Sequence, residues 1–235
     1  MLFGWFYYDW TLLIVFPAMA FALFAQMNVR NTFEKYRHMT VQSGLTAVDA
    51  ARRMLNANGL YDVNIEPSNR SGLSDHYDPR NKTLYLSNEV YDSNSAAAIG
   101  VACHEAGHAL QDAFGYVPLK LRMSIIPVCN FGSQLAIPLF FIGLLFAGDF
   151  GYIFMLAGIA CFALATLFQL ITLPVEFNAS RRAMEGMRDC GVLHDDEVDA
   201  AKSVLSAAAM TYVAALATSL LSLLRLILIA RNRRD

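Results

Sequence analysis

Residues Val101–Ala109 read VACHEAGHA, and within them His104, Glu105 and His108 form the pattern H-E-x-x-H. On an α-helix, positions four apart stack on one face. Two imidazoles so spaced grip one zinc ion from the same side, and the acid beside the first histidine is placed to take a proton from a water on that ion. Zinc brings the pKa of such a water to about 7, so the chemistry implied is hydroxide attack on a peptide carbonyl. With 5 histidines in 235 residues, coincidence explains the pattern poorly. The bland alternative is a helix carrying two satisfied histidines and a surface glutamate. The flanks favour a helix over about 95–114: Ser93 or Ser95 caps it, and Ala96-Ala97-Ala98-Ile99 propagates it. Gly100 and Gly107 lower helix propensity, which points to a close approach by a neighbouring segment or a substrate.

A catalytic zinc takes a third protein ligand and leaves its fourth position to water. The run after His108, Leu110-Gln111-Asp112-Ala113-Phe114-Gly115, contains no further histidine, and Asp112 alone makes no gripping pattern. The third ligand must come from a distant part of the chain.

Hydrophobic residues make up 56% of the sequence and charged ones 16%, against about 25% charged in ordinary soluble domains. A net charge of −2 and the lack of a long basic run argue against a nucleic-acid surface. Cys103, Cys129, Cys161 and Cys190 are scattered with no C-x-x-C, so free thiols are expected rather than a disulfide framework. Cys103 points about 100° away from its neighbour His104 on a helix, which favours packing over metal binding.

Trp10–Val29 carries no charge over a length that spans a bilayer, and Trp5, Phe6, Tyr7 and Tyr8 precede it as an interfacial belt would. No Lys or Arg precedes the run, so it reads as an uncleaved anchor rather than a secretory signal peptide. Ser43–Asn58 has apolar positions Leu45, Val48, Ala51, Met54 and Leu55 at helical spacing, closed by Gly59. Residues 63–87 change character. Thr83–Leu86 is strand-like and Asp78-Pro79-Arg80-Asn81 is a turn, which predicts a small antiparallel sheet of two or three strands. His76, Asp75 and Asp78 lie there as weaker metal candidates, and an exposed sheet edge would hold a substrate as an added strand.

Met123–Gly148 and Phe150–Val175 are two further uncharged runs, joined by a tight turn near Ala147-Gly148-Asp149. Two crossings return the chain to the side it left, so the residues after Pro174 face the histidines. Glu176 is the first acid there and is expected at a helix start. A carboxylate beside the membrane neutralises, pairs with Arg181 or Arg182, binds a cation, or simply favours a helix N-terminus. Metal binding suits it best, since it completes a His, His, Glu set. The last apolar run, Ser203–Leu224, is followed by Arg225, five apolar residues and Arg231-Asn232-Arg233-Arg234, and reads as a fourth span or a bundle helix. Basic residues at 30–53, 120–122 and 181–188 put the site on the cytoplasmic side, while a full fourth span sets the terminal arginines against that rule.

The segments SDHYDPRNKTLYLS, HEAGHALQ and LPVEFNASRRA, taken over nearly the whole chain, resemble the YugP-like neutral zinc metallopeptidases. The layout is also similar to membrane zinc proteases of the HtpX and CAAX-prenyl-protease kind. The resemblance implies His104, His108 and Glu176 as ligands of one Zn2+ per chain and Glu105 as general base. It departs from the wider pattern at Ser180, where those proteases carry an aspartate four residues after the ligand glutamate. Together these readings predict a mainly α integral membrane protein of three to four transmembrane helices with a small α+β zincin-like domain. The expected divisions are an anchor (1–29), a cytoplasmic zincin-like domain (30–122), a transmembrane hairpin (123–175), a third-ligand region (176–207) and a C-terminal membrane or bundle helix (208–235). The expected partners are the lipid bilayer and a protein or peptide substrate, membrane-associated ones included, with no nucleic acid.

Overall fold

The computed structural model describes residues 10–68 and 75–233; the expected aromatic belt at Trp5–Tyr8 and Arg234 lie outside the described residues. The elements follow in the order α1 (Leu12–Tyr36), α2 (Ala47–Ala57), β1 (Asn64–Pro67), β2 (His76–Asp78), β3 (Thr83–Leu86), α3 (Ala96–Ala113), α4 (Val117–Leu145), α5 (Gly148–Asp189) and α6 (Asp195–Asn232). The chain divides into two compact units.

The first unit takes the described parts of Met1–Ala25 and Thr211–Asp235 together with Leu121–Leu173. Four helices, α1, α4, α5 and α6, are long and apolar enough to cross a membrane. The shortest has 25 residues, and at about 1.5 Å per residue even that one exceeds a bilayer core of about 30 Å. The α4–α5 hairpin turns where the sequence predicts. Small residues bring its two backbones together: a Cβ built on Gly158 would lie 2.7 Å from the Ala136 carbonyl oxygen, and one on Gly143 would lie 2.6 Å from that of Gly151. Close backbone approach of this kind holds helices together in lipid, where apolar burial gives no drive. Arg225 Nε donates to Thr11 Oγ1 near the start of α1, at 3.3 Å. Arg233 donates to the carbonyls of Leu144 and Phe146 at the end of α4, a favourable place for a cation. The last helix is therefore unbroken, 38 residues long, and finishes at the end of this unit where the α4–α5 turn lies.

The second unit comprises Gln26–Lys120 and Pro174–Met210. Thr46 caps α2: its side chain accepts from the Asp49 amide while the Asp49 carboxylate accepts from the Thr46 amide, a reciprocal pair that satisfies two orphan donors. Ala47, Ala50, Ala51, Met54 and Leu55 are the buried face of α2. Gly59, with φ +77°, takes the left-handed turn that follows.

The sheet has the order β1-β3-β2 and is mixed, which corrects the antiparallel expectation. β2 runs antiparallel to β3, but β1 runs parallel to it, with Asn64 opposite Thr83. A parallel neighbour needs a crossover. In chain order β2 comes between the two, on the far side of β3, and turns back into β3 through Asp78–Asn81.

Ser95 caps α3, accepting from the Ala98 amide at 3.2 Å. Ile99, Ala102, Cys103 and Ala106 of α3 are fully buried, in one core with Met54 and Leu55 of α2, Leu84 and Leu86 of β3, Ala183 and Met187 of α5, and Val198 and Ala201 of α6. Burial pushes the Cys103 thiol up to about 12, so that cysteine is a packing residue with no thiolate. One sequence expectation fails here. Glu176 does not begin a helix: α5 continues through Pro174 for 42 residues. Pro174 removes one helical N–H without ending the helix. The alternative that Glu176 serves a helix N-terminus falls with that finding.

Candidate metal centre

His104 and His108 stand one turn apart on α3 with ring centroids 4.8 Å apart. Glu176 reaches them from α5. Its Oε2 lies 3.2 Å from His104 Nε2 and 3.6 Å from His108 Nε2. Gly107, between the two histidines, makes this approach possible: a Cβ there would sit 2.5 Å from the Ala179 carbonyl oxygen of α5. The glycine read in the sequence as a place of close approach is where the two helix backbones touch. Gly100, two turns earlier, lies against the Ala201 side chain of α6, where a Cβ would be 3.1 Å from its methyl.

Glu176 is 2% exposed. A carboxylate so buried needs cationic or hydrogen-bonding partners, and the two imidazoles are those. Burial opposes protonation of His108, but the nearby Glu176 and Glu105 carboxylates outweigh it, so its pKa is raised. The three donor atoms, His104, His108 and Glu176, lie within 4.8 Å of one another. Ligand bonds of 2.0–2.2 Å in a tetrahedron put donor atoms about 3.3 Å apart. The histidine-to-glutamate separations of 3.2 and 3.6 Å bracket that distance, so these three side chains could hold a metal ion, and their donor set of two imidazoles and a carboxylate is one that zinc takes.

The far sides of both rings are also held. His104 Nδ1 meets Ser180 Oγ at 3.1 Å, and His108 Nδ1 meets Gln111 Oε1 at 3.0 Å. Such outer partners orient a ligating imidazole and set which nitrogen is bare. Ser180, which stands where the wider family pattern has an aspartate, thus lies beside a histidine ring. Gln111 donates in turn to the Val175 carbonyl at 2.7 Å and to Asn178 Oδ1 at 3.0 Å.

Glu105 is 8% exposed. Its Oε2 accepts the backbone N–H of Tyr77 on strand β2 at 3.0 Å. The Tyr77 hydroxyl donates to Asp112 Oδ2 one helical turn past His108, at 3.0 Å, so β2 is fastened to α3 at two points. Burial and the Asp112 carboxylate push the Tyr77 phenol well above its ordinary range, which keeps it a donor. The weaker metal candidates have other work. Asp75 accepts from the Ser87 amide at 2.7 Å and from its hydroxyl. Burial raises the Asp75 pKa against that Ser87 amide. The His76 ring stacks on Tyr85 at 5.0 Å. Among the described residues, the metal-ligating donors that converge are His104, His108 and Glu176.

Residues 11–231 match the family described as "Putative neutral zinc metallopeptidase". The chain belongs to this family. It is 47% identical over 222 residues to a Bacillus subtilis (strain 168) protein described as "Putative membrane protease YugP", covering 94% of this chain and 97% of that protein. No solved structure matches the chain. On two touching helices the chain holds a His, His, Glu group that could bind a metal.

Sequence reading missed Gln111 and Tyr77. Gln111 follows His108 by three positions, so helical spacing alone puts it beside that ring. Tyr77 contributes a backbone N–H to Glu105, and a main-chain donor leaves no mark in the sequence.

Proposed function

We propose that this protein is a membrane-anchored zinc endopeptidase. His104, His108 and Glu176 hold one Zn2+ per chain, and the reading is carried by the convergence of those three donors within 4.8 Å of one another. Bound there, zinc supplies a Lewis acid for the scissile carbonyl and an acidified water. Glu105 is the general base: it takes the proton of the attacking water and passes it to the leaving amine. The Tyr77 N–H, hydrogen-bonded to Glu105 Oε2, fixes the carboxylate's orientation and leaves its other oxygen for that proton. Ser180 and Gln111 keep the two ligand rings in place.

In this reading residues 30–122 are a zincin-like domain that takes its third ligand from 176–207. The anchor (1–29), the hairpin (123–175) and the last helix (208–235) hold it to the bilayer. The similarity in layout to HtpX and CAAX-prenyl proteases belongs to the same reading. The site faces the cytoplasm, because Arg30, Lys35, Arg37, Arg52, Arg53, Lys120 and Arg122 outnumber the arginines at the end of α6. The substrate is a protein or peptide, membrane-associated ones included.

Glu105→Gln tests the assignment of the base. The variant should keep its zinc and lose cleavage of an unfolded protein substrate by on the order of 10²–10⁴-fold. Cleavage at the wild-type rate by a zinc-loaded Glu105→Gln protein would remove Glu105 from that role.

A further inference from the structure

We propose that Gln111 is the positioning residue for His108: its amide oxygen keeps the imidazole proton on Nδ1 and so leaves Nε2 as the bare nitrogen turned toward Glu176. This rests on the zinc reading above and deepens it.

The polarity of the network is set from its far end. The Arg182 guanidinium only donates, and its Nε donates to Asn178 Oδ1 at 2.9 Å. The Asn178 amide therefore turns its oxygen inward. Gln111 then faces two acceptors, Asn178 Oδ1 at 3.0 Å and the Val175 carbonyl at 2.7 Å. Neither has a proton to give, so Gln111 points its NH2 at both and its Oε1 at His108. That oxygen only accepts, and it lies 3.0 Å from His108 Nδ1, so Nδ1 carries the proton. The reversed amide would set two pairs of oxygens against each other. Gln111 is 0% exposed, so water relieves none of that, and a buried polar group left unpaired is strongly unfavourable.

A neutral imidazole has one N–H, and a metal takes the other nitrogen. For His108 that is Nε2, 3.6 Å from Glu176 Oε2. His104 lacks the same constraint. Its Nδ1 meets the Ser180 hydroxyl at 3.1 Å, and a hydroxyl both donates and accepts. His108 is the ligand whose donor atom is dictated by the fold, through a chain of side chains that ends on an arginine of α5.

The test combines two measurements on detergent-solubilised, zinc-loaded full-length protein. The first is 15N-histidine NMR of wild type, with His108 assigned by its loss in His108→Asn. The second is zinc affinity by chelator competition for wild type and Gln111→Leu. The expected spectrum has His108 metal-bound through Nε2 and protonated on Nδ1. Gln111→Leu should bind zinc 10- to 100-fold more weakly and lose the protected Nδ1 proton signal, which a space-filling role would not move. Coordination of His108 through Nδ1 in wild type, or an unchanged affinity in Gln111→Leu, would overturn the inference; the wild-type spectrum decides it even if Gln111→Leu does not fold. Wild type that takes up no zinc would overturn the metal reading itself, a distinct result.

Discussion

Gly107 is the residue on which the site's geometry turns. Its missing Cβ lets the Ala179 carbonyl come to within 2.5 Å of where that atom would stand, and a backbone carbonyl cannot swing aside as a side chain can. Gly107→Ala should therefore cost about 1–3 kcal/mol, read as a melting temperature lower by roughly 3–10 °C, with weaker zinc uptake because α3 is pushed off α5. Gly100→Ala is the contrast. Its new methyl would lie 3.1 Å from the Ala201 methyl and 3.4 Å from the Ala201 Cα, a milder overlap, and alanine returns about 1 kcal/mol of helix propensity, so the melting temperature should fall by clearly less than in Gly107→Ala. Equal losses from the two substitutions would mean that the α3–α5 contact is not special. At this scale much was legible in the sequence. The spacing of His104, Glu105 and His108 is a helical fact, and the two glycines announced a close neighbour. Glu176 was found by counting membrane crossings rather than by any local pattern. Of the holders of the rings, Ser180 stood out only through the resemblance, and Gln111 was not found, because an amide side chain carries no chemistry of its own and matters only through what it faces.

Among the elements, the start of α6 shows how a buried charge is made tolerable. Glu197 is 2% exposed. One carboxylate oxygen accepts the His194 amide at 2.9 Å, closing the first turn of α6, and the other accepts the Gln42 amide at 2.6 Å, tying the loop before α2 to that helix. Glu197→Gln keeps one acceptor and turns an NH2 against the other amide. It should destabilise the protein by about 1–3 kcal/mol, measured by thermal melting, while zinc stoichiometry stays at the wild-type value. A wild-type melting temperature would show that the tether contributes nothing. The elements also mark where sequence reading stops. Helices α1, α4 and α6 follow from uncharged runs, and α2 from its spacing and caps. The direction of β1 does not follow, because four residues of NIEP carry no signal of whether their partner runs with or against them. The continuity of α5 was hidden by Pro174, which reads as a boundary but costs a single hydrogen bond inside a helix long enough to absorb it.

For the whole molecule, the sequence composition and the folded chain agree on what kind of protein this is. A chain with only 16% charged residues builds four helices long and apolar enough to cross a membrane, and a second unit with its own core around α3. The sidedness of that second unit is open to direct measurement. Tyr61 is 74% exposed and far in sequence from the metal donors, so Tyr61→Cys in a background lacking the native cysteines is a suitable reporter. A membrane-impermeant maleimide should leave it unlabelled in intact cells and label it after lysis; labelling of intact cells would put the site on the outer face.

The central claim is that two helices bring three donors to one metal. It is tested most directly by zinc content per chain in detergent-purified wild type and Glu176→Gln. Close to one zinc in wild type and clear loss in Glu176→Gln is the predicted result. Undiminished zinc in Glu176→Gln would contradict the split site and return the third ligand to the search, and wild type that stays free of zinc after metal reconstitution would contradict the peptidase reading altogether.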